Sequence, residues 1–250
     1  MAGSGARQNR RQRREALEQN LKKRERYQNT QETPPTAQKA PRLTHFHPRS
    51  EGQERLVEAL NTSRLVLASG PAGSGKTLLA VHHAVSLLLS NQVEKLVLTR
   101  PAVESGEKIG FLPGSAREKL DPYLRPMFDA MSEVLGGGPR ASQSIEKWIK
   151  EGIVEIAPLG FMRGRTFKNA FIIGDEMQNA LYLHQKMLVT RIGEGSHMAI
   201  LGDVEQSDVA DGAGLIHLLD KCEKNGYPVI RMDLRDVQRD PIVAHVLQFL

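Results

Sequence analysis

The stretch Gly70-Pro-Ala-Gly-Ser-Gly-Lys-Thr77 has the residue types and spacing of a loop that wraps a polyphosphate. Glycines at Gly70, Gly73 and Gly75 let the backbone turn tightly and aim successive N–H groups inward, with Pro71, Ala72 and Ser74 completing the turn. Lys76 supplies a point charge for the outer phosphates, and the Thr77 hydroxyl is a hard oxygen suited to Mg2+. Much later, an apolar run ends in Asp175-Glu176. The Asp175 carboxylate can join a Mg2+ shell, while Glu176 can orient and deprotonate a water for attack on a γ-phosphate. Taken alone, such a pair reads better as a solvated turn; the phosphate loop is what makes it a candidate site. Gly202-Asp203-Val-Glu-Gln206 follows a further apolar run. The Gln206 amide there can sense whether a γ-phosphate is present, or it can sit in a simple turn. ATP and Mg2+ are the expected cofactors, and no Asn-Lys-x-Asp sequence that would read guanine occurs.

These residues need elements to position them. Arg64-Leu-Val-Leu-Ala-Ser69 is a short apolar run of the kind that forms a buried parallel strand. Leu78 to Leu89 predicts a helix whose N-terminus faces the phosphates. Strands are also predicted over Lys95–Thr99, Ile153–Ala157, Ala170–Gly174, Met198–Leu201 and Pro228–Met232. Helices are predicted over Gly52–Leu60, Ala116–Leu135, Leu181–Ile192, Leu215–Cys222 and Pro241–Leu250. Pro122 and Pro126 are expected to kink or interrupt the second of these helices. Gly136-Gly-Gly-Pro139 reads as a loose turn. Strands alternating with helices predict an α/β fold, a mostly parallel sheet covered on both faces.

Residues 1–48 are set apart as a basic tail and a proline-rich linker, leaving 49–250 as one domain. Residues 1–42 hold 11 Lys/Arg against 4 Glu, a charge of +7; the whole chain carries +5, so the remainder carries −2. A charge run of this kind is read either as a tether for a phosphate backbone or as a solvated arm. No apolar run approaches the roughly 18 residues of a membrane span. The single cysteine, Cys222, forms no internal disulfide, and a cytoplasmic location is expected. His82 and His83 are read as packed helix residues. Arg163 and Arg165, flanking a glycine in a loop, are read as gripping phosphates in preference to pairing with surface carboxylates.

Asp175-Glu-Met-Gln178 and Gly202-Asp203-Val-Glu-Gln206 resemble motifs of superfamily 1 helicases. With Thr99-Arg-Pro-Ala-Val-Glu104, Phe161-Met-Arg-Gly-Arg-Thr166 and Asp236-Val-Gln-Arg-Asp-Pro241, the chain from about residue 50 resembles the PhoH family of P-loop ATPases. The resemblance implies one RecA-like domain, ATP hydrolysis and a role on RNA or other single-stranded nucleic acid. By the same resemblance Gln53 would read the adenine, Arg100 would touch the nucleic-acid strand and Arg239 would meet the γ-phosphate. Gly174 stands where the family has an apolar residue, which is expected to weaken strand packing. A lone lobe cannot close over ATP, so a homohexameric ring is expected, with Arg239 serving its own or the adjacent site. The alternative is a nucleotide-switched binding module that regulates a protein partner such as a nuclease.

Overall fold

The computed structural model describes residues 42–101, 116–207, 213–238 and 242. The predicted helix over Pro241–Leu250, Arg239, the basic tail and most of the loop after Arg100 lie outside these residues. Within them, six apolar runs pair into one sheet: β1 (Leu65–Ser69), β2 (Lys95–Thr99), β3 (Val154–Ile156), β4 (Ala170–Gly174), β5 (His197–Gly202) and β6 (Val229–Arg231). Every ladder is parallel and the order is β3-β2-β4-β5-β1-β6. β1 and β4 are buried at every residue, because parallel strands are covered on both faces and need no polar alternation.

The pleat sends alternate side chains to two separate cores. Val66, Ala68, Leu96, Leu98, Phe171 and Ile173 pack beneath α1 (Glu51–Thr62), α2 (Lys76–Leu89), α3 (Ala116–Val134) and α4 (Gly138–Lys150). Leu65, Leu67, Val97, Ile172 and Ile200 face α5 (Tyr182–Val189) and α6 (Ala213–Lys224). This is the doubly covered parallel sheet that the alternation of runs predicts.

Several expectations change. α3 runs unbroken through Pro122 and Pro126. Pro126 is exposed, so the hydrogen bond it forfeits lies on the outer side of the helix, where water can satisfy the freed carbonyl. The glycine run is a turn, with Gly136, Gly137 and Gly138 all at positive φ, but it opens directly into α4, which the sequence reading leaves unassigned. Its signal was present: a proline in the first turn and Ala141, Ile145 and Trp148 buried at helical spacing. Ahead of α1, the compact unit begins at Pro41, inside the expected linker. Leu43 and Phe46 pack against the core, and the Thr44 N–H and hydroxyl both donate to the Val134 carbonyl, at 2.8 and 3.0 Å.

Gly174 strengthens packing where weakening was expected. A Cβ built there would lie 2.8 Å from Leu188 Cδ2 and 3.3 Å from Met177 Cγ, so the bare backbone is what lets α5 approach. Gly174→Val is therefore expected to destabilise the fold by about 1–3 kcal/mol through overpacking, read as a lower urea midpoint.

The histidines are packed as expected. His83 meets the Phe171 ring edge-on at 5.6 Å, and Phe171 stacks on His197 at 6.1 Å. Burial first, then the charges of His197 and His82, lowers His83 from 6.5 to about 4. The unfolded chain therefore takes up this proton more readily than the folded one. The contribution of neutral His83 is complete above about pH 6.5 and is lost as pH falls towards about 4. A loss on the order of 2 kcal/mol is expected across that window, after discounting for partial exposure. The fall in Tm with pH should flatten in His83→Gln.

Candidate active site

Four neighbouring strands end at one edge and deliver the chemistry there. Thr99 pairs with Gly174, Gly174 with Ile200 and Gly202 with Ser69. The residues that follow, Arg100, Asp175-Glu176, Asp203 and Gly70, are thus brought together by register alone. Crevices at the carboxyl ends of parallel strands are where open α/β sheets bind ligands.

The phosphate loop leaves β1 and enters α2 through Gly75, whose φ of 89° is available without strain only to glycine. A Cβ at Gly75 would also stand 2.9 Å from Gln53 Nε2. The Lys76 ammonium folds back inside the loop and donates to the carbonyls of Gly70 (2.5 Å) and Pro71 (3.0 Å) and to the Ser74 hydroxyl (3.2 Å). Burial lowers its pKa, and the charges of Asp203, Asp175 and Glu176 oppose that shift. Ser74 is fully buried and donates to the Pro71 carbonyl at 2.8 Å.

The two halves of the expected site touch. Thr77 Oγ1 donates to Asp175 Oδ1 at 2.9 Å. Asp175 is 3% exposed, and burial followed by the Glu176 charge raises its pKa against the opposing pull of Arg100 and the Thr77 hydroxyl. A hydroxyl and a buried carboxylate beside a phosphate loop form an oxygen-only donor pair, which fits a hard cation such as Mg2+. A bound cation would also reverse the local preference for the protonated acid.

Glu176 adopts a left-handed backbone conformation, φ 53° and ψ 36°, which costs a non-glycine residue on the order of 1–2 kcal/mol. Its carboxylate is held at both oxygens. Arg100 Nη2 lies 2.8 Å from Oε1, and Gln178 Nε2 donates to Oε2 at 2.6 Å. Gln178, 2% exposed, uses its other amide atom to accept the Asp203 N–H at 3.0 Å. The sequence reading quotes Gln178 within its motif but gives it no role; the bridge from Glu176 to β5 depends on partners distant in the chain.

Gln53 is also buried. Its Oε1 accepts the Arg49 N–H at 2.9 Å, and its Nε2 donates to the Ser74 carbonyl at 3.0 Å, tying α1 to the phosphate loop. A second tie comes from the segment after β6. Gln238 N–H donates to the Gly73 carbonyl at 3.0 Å. Asp236, 5% exposed, accepts the Gly52 N–H at 3.0 Å and the Asp233 N–H at 2.9 Å. Gln206 lies on the β5 exit turn with its side chain exposed.

Two arginines form ion pairs within the fold. Arg165, expected to grip phosphates, pairs with Glu155 at 2.5 Å and covers the Phe167 ring at 4.5 Å, so its charge is committed there. Arg100 pairs with Glu176 among the described residues. Arg163 is exposed and makes no ion pair among the described residues.

A parallel sheet in which the phosphate-loop strand and the acidic strand flank a common neighbour, with both stretches in hydrogen-bond contact, defines the RecA-like P-loop fold. A model of the PhoH-like protein family matches residues 45–250, and the chain belongs to that family. It is 46% identical over 200 residues to the PhoH-like protein of Bacillus subtilis, covering 79% of this chain and 61% of that one. Against the PhoH-like protein of Mycobacterium tuberculosis (strain H37Rv) the identity is 42% over 205 residues, covering 81% and 57%. Against Protein PhoH of Escherichia coli K12 it is 35% over 204 residues, covering 80% and 56%. The chain thus spans about six-tenths of the length of these relatives. A looser similarity, 12% identity and a TM-score of 0.43 over 77% of this chain and 46% of the other, is to a Sulfolobus solfataricus SWI2/SNF2 ATPase core in complex with dsDNA. No described helix is long and apolar enough to cross a membrane.

Proposed function

We propose that this chain binds ATP with Mg2+, hydrolyses it, and couples the turnover to single-stranded nucleic acid, RNA or DNA. The observation that carries the reading is the 2.9 Å contact between Thr77 and Asp175, which unites two stretches distant in sequence at one sheet edge. In this reading the N–H groups of Gly70 to Gly75 receive phosphate oxygens, and Lys76 exchanges its carbonyl acceptors for the outer phosphates. Thr77 and Asp175 hold Mg2+, which when bound neutralises charge on those phosphates. Glu176 orients a water and takes its proton. Gln206 reads the γ-phosphate from the β5 exit. Gln53 is assigned to the adenine, which requires its amide to exchange a backbone partner for the base. Arg239 is assigned to the γ-phosphate.

The site lies at the carboxyl ends of the central strands, and a homohexameric ring in which a neighbouring copy closes over it is part of the proposal. Sizing the protein with ATP and Mg2+ tests this; a strict monomer with full ATPase activity would end it.

The central experiment is ATP turnover with and without single-stranded RNA or DNA oligomers. Turnover stimulated by an oligomer and abolished in Lys76→Ala is the expected outcome. Turnover indifferent to every oligomer would leave an ATPase and remove the nucleic acid. No turnover under any condition would sink the enzymatic reading itself.

A further inference from the structure

Four helices cover one face of the sheet in chain order. α2 packs between α1 and α3, and α3 in turn packs between α2 and α4. α1 lies over β1 and β6 and α4 over β3, so the end helices stand at opposite edges of a sheet whose outermost strands are β6 and β3. Each turns an apolar stripe inward: Leu56, Ala59 and Leu60 are buried on α1, and Ala141, Ile145 and Trp148 on α4.

The outward faces differ in sign. α1 exposes Glu51, Glu54 and Glu58, three and four residues apart and so on one stripe, with Arg55 as its only cation, a charge of −2. α4 exposes Arg140, Lys147 and Lys150, seven and three residues apart, with Glu146 as its only anion, a charge of +2. Of these six like-charged side chains only Lys147 has an ion pair among the described residues, a 3.8 Å contact with Glu151 between exposed groups, which contributes little. An apolar residue accompanies each stripe. Phe161, 71% exposed, lies just past β3, and Leu234, 42% exposed, lies just past β6 in the turn that packs on α1.

A two-fold contact would set α1 against α1 or α4 against α4, like charge on like, which is unfavourable. A head-to-tail contact uses two different patches on opposite sides of one molecule, and it sets these charges opposite each other. Apolar residues within a polar rim of complementary charge also match the composition of a specific interface.

We infer that copies of this chain join head to tail, the α1 and Leu234 edge of one against the α4 and Phe161 edge of the next. The inference rests on the proposed ring and gives it a contact surface. α1 carries Gln53, whose amide holds the Ser74 carbonyl of the phosphate loop, so the neighbour bears on the helix that braces that loop.

The test is the mass of the whole chain by light scattering, with Mg2+ and a slowly hydrolysed ATP analogue. Glu54→Lys with Glu58→Lys turns the α1 charge to +2, and Arg140→Glu with Lys150→Glu turns the α4 charge to −2. Each double variant alone should stay monomeric at a concentration where the native chain assembles, because like charges now meet at every contact. Mixed in equal amounts, the two should assemble again. The reversed α1 then meets the reversed α4, and the two unaltered helices meet each other. Recovery on mixing also shows that both variants are folded. A native chain that assembles, with both variants assembling as it does, overturns the pairing and leaves the ring. Variants that stay apart on mixing overturn it too. If only the α1 variant fails, the acidic stripe serves another occupant, such as the chain's own basic residues 1–42, and the pairing with α4 is overturned. Failure of the α4 variant alone overturns it in the same way. A native chain that is monomeric throughout removes the ring and this interface together.

Discussion

Glu176→Gln is expected to lower ATP turnover by about 10²–10⁴-fold, the range over which a positioned general base contributes. ATP binding should change little. The substitution replaces one oxygen with an amide, so a hydrogen-bond acceptor remains but proton acceptance is lost. The phosphate loop is untouched, since Lys76 makes its bonds to Gly70, Pro71 and Ser74 and none to Glu176. Lys76→Ala should behave oppositely, weakening ATP binding as well as turnover, because it removes the charge that faces the phosphates. Equilibrium binding of a slowly hydrolysed ATP analogue, measured beside single-turnover rates, separates the two. Near-native hydrolysis in Glu176→Gln would move the base elsewhere and sink the assignment.

Asp236→Ala carries the largest expected cost in stability, about 2–4 kcal/mol, as is usual when a buried acceptor of two backbone donors is removed. The carboxylate accepts from Gly52, a first-turn N–H of α1 with no partner inside the helix, and from Asp233. The fit is close on both sides. A Cβ on Gly52 would come within 2.5 Å of either carboxylate oxygen, so Gly52→Ala should reproduce much of the loss from the other partner. α1 also carries Gln53, whose amide holds the Ser74 carbonyl, so the loosened helix should weaken nucleotide binding as well. Chemical denaturation and nucleotide titration of the same variant read both effects. A stability within about 0.5 kcal/mol of native would place the Gly52 N–H in water instead.

Strands and phosphate loop were legible because their signals are local. β2 and β4 keep the bounds read from the sequence, Lys95–Thr99 and Ala170–Gly174, as uninterrupted apolar runs flanked by polar residues. Asp175 and Thr77 could be assigned to one site because a buried parallel strand has only one end at which a carboxylate can meet the phosphate loop. What stayed hidden depends on partners chosen in three dimensions. Arg165 looks free in sequence, and only the fold sets Glu155 and Phe167 against it. Gln178 is one polar residue among many until Glu176 and the Asp203 N–H close on it. Residues 42–47 read as linker because prolines flank them, Pro41 and Pro48, yet two of them, Leu43 and Phe46, pack against the core. Gly174 is the plainest case. A missing side chain lowers strand propensity on paper, but Leu188 and Met177 occupy the space it leaves.

The contacting rings of His83, Phe171 and His197 lie two turns into α2, in the first half of β4 and at the start of β5, whereas the nucleotide chemistry gathers where α2 begins and those strands finish. Heat resistance and catalytic rate can therefore be tuned separately in this protein. Replacing the histidine pair with rings that carry no proton would remove their share of the acid sensitivity, with Asp175 and Glu176 left as they are.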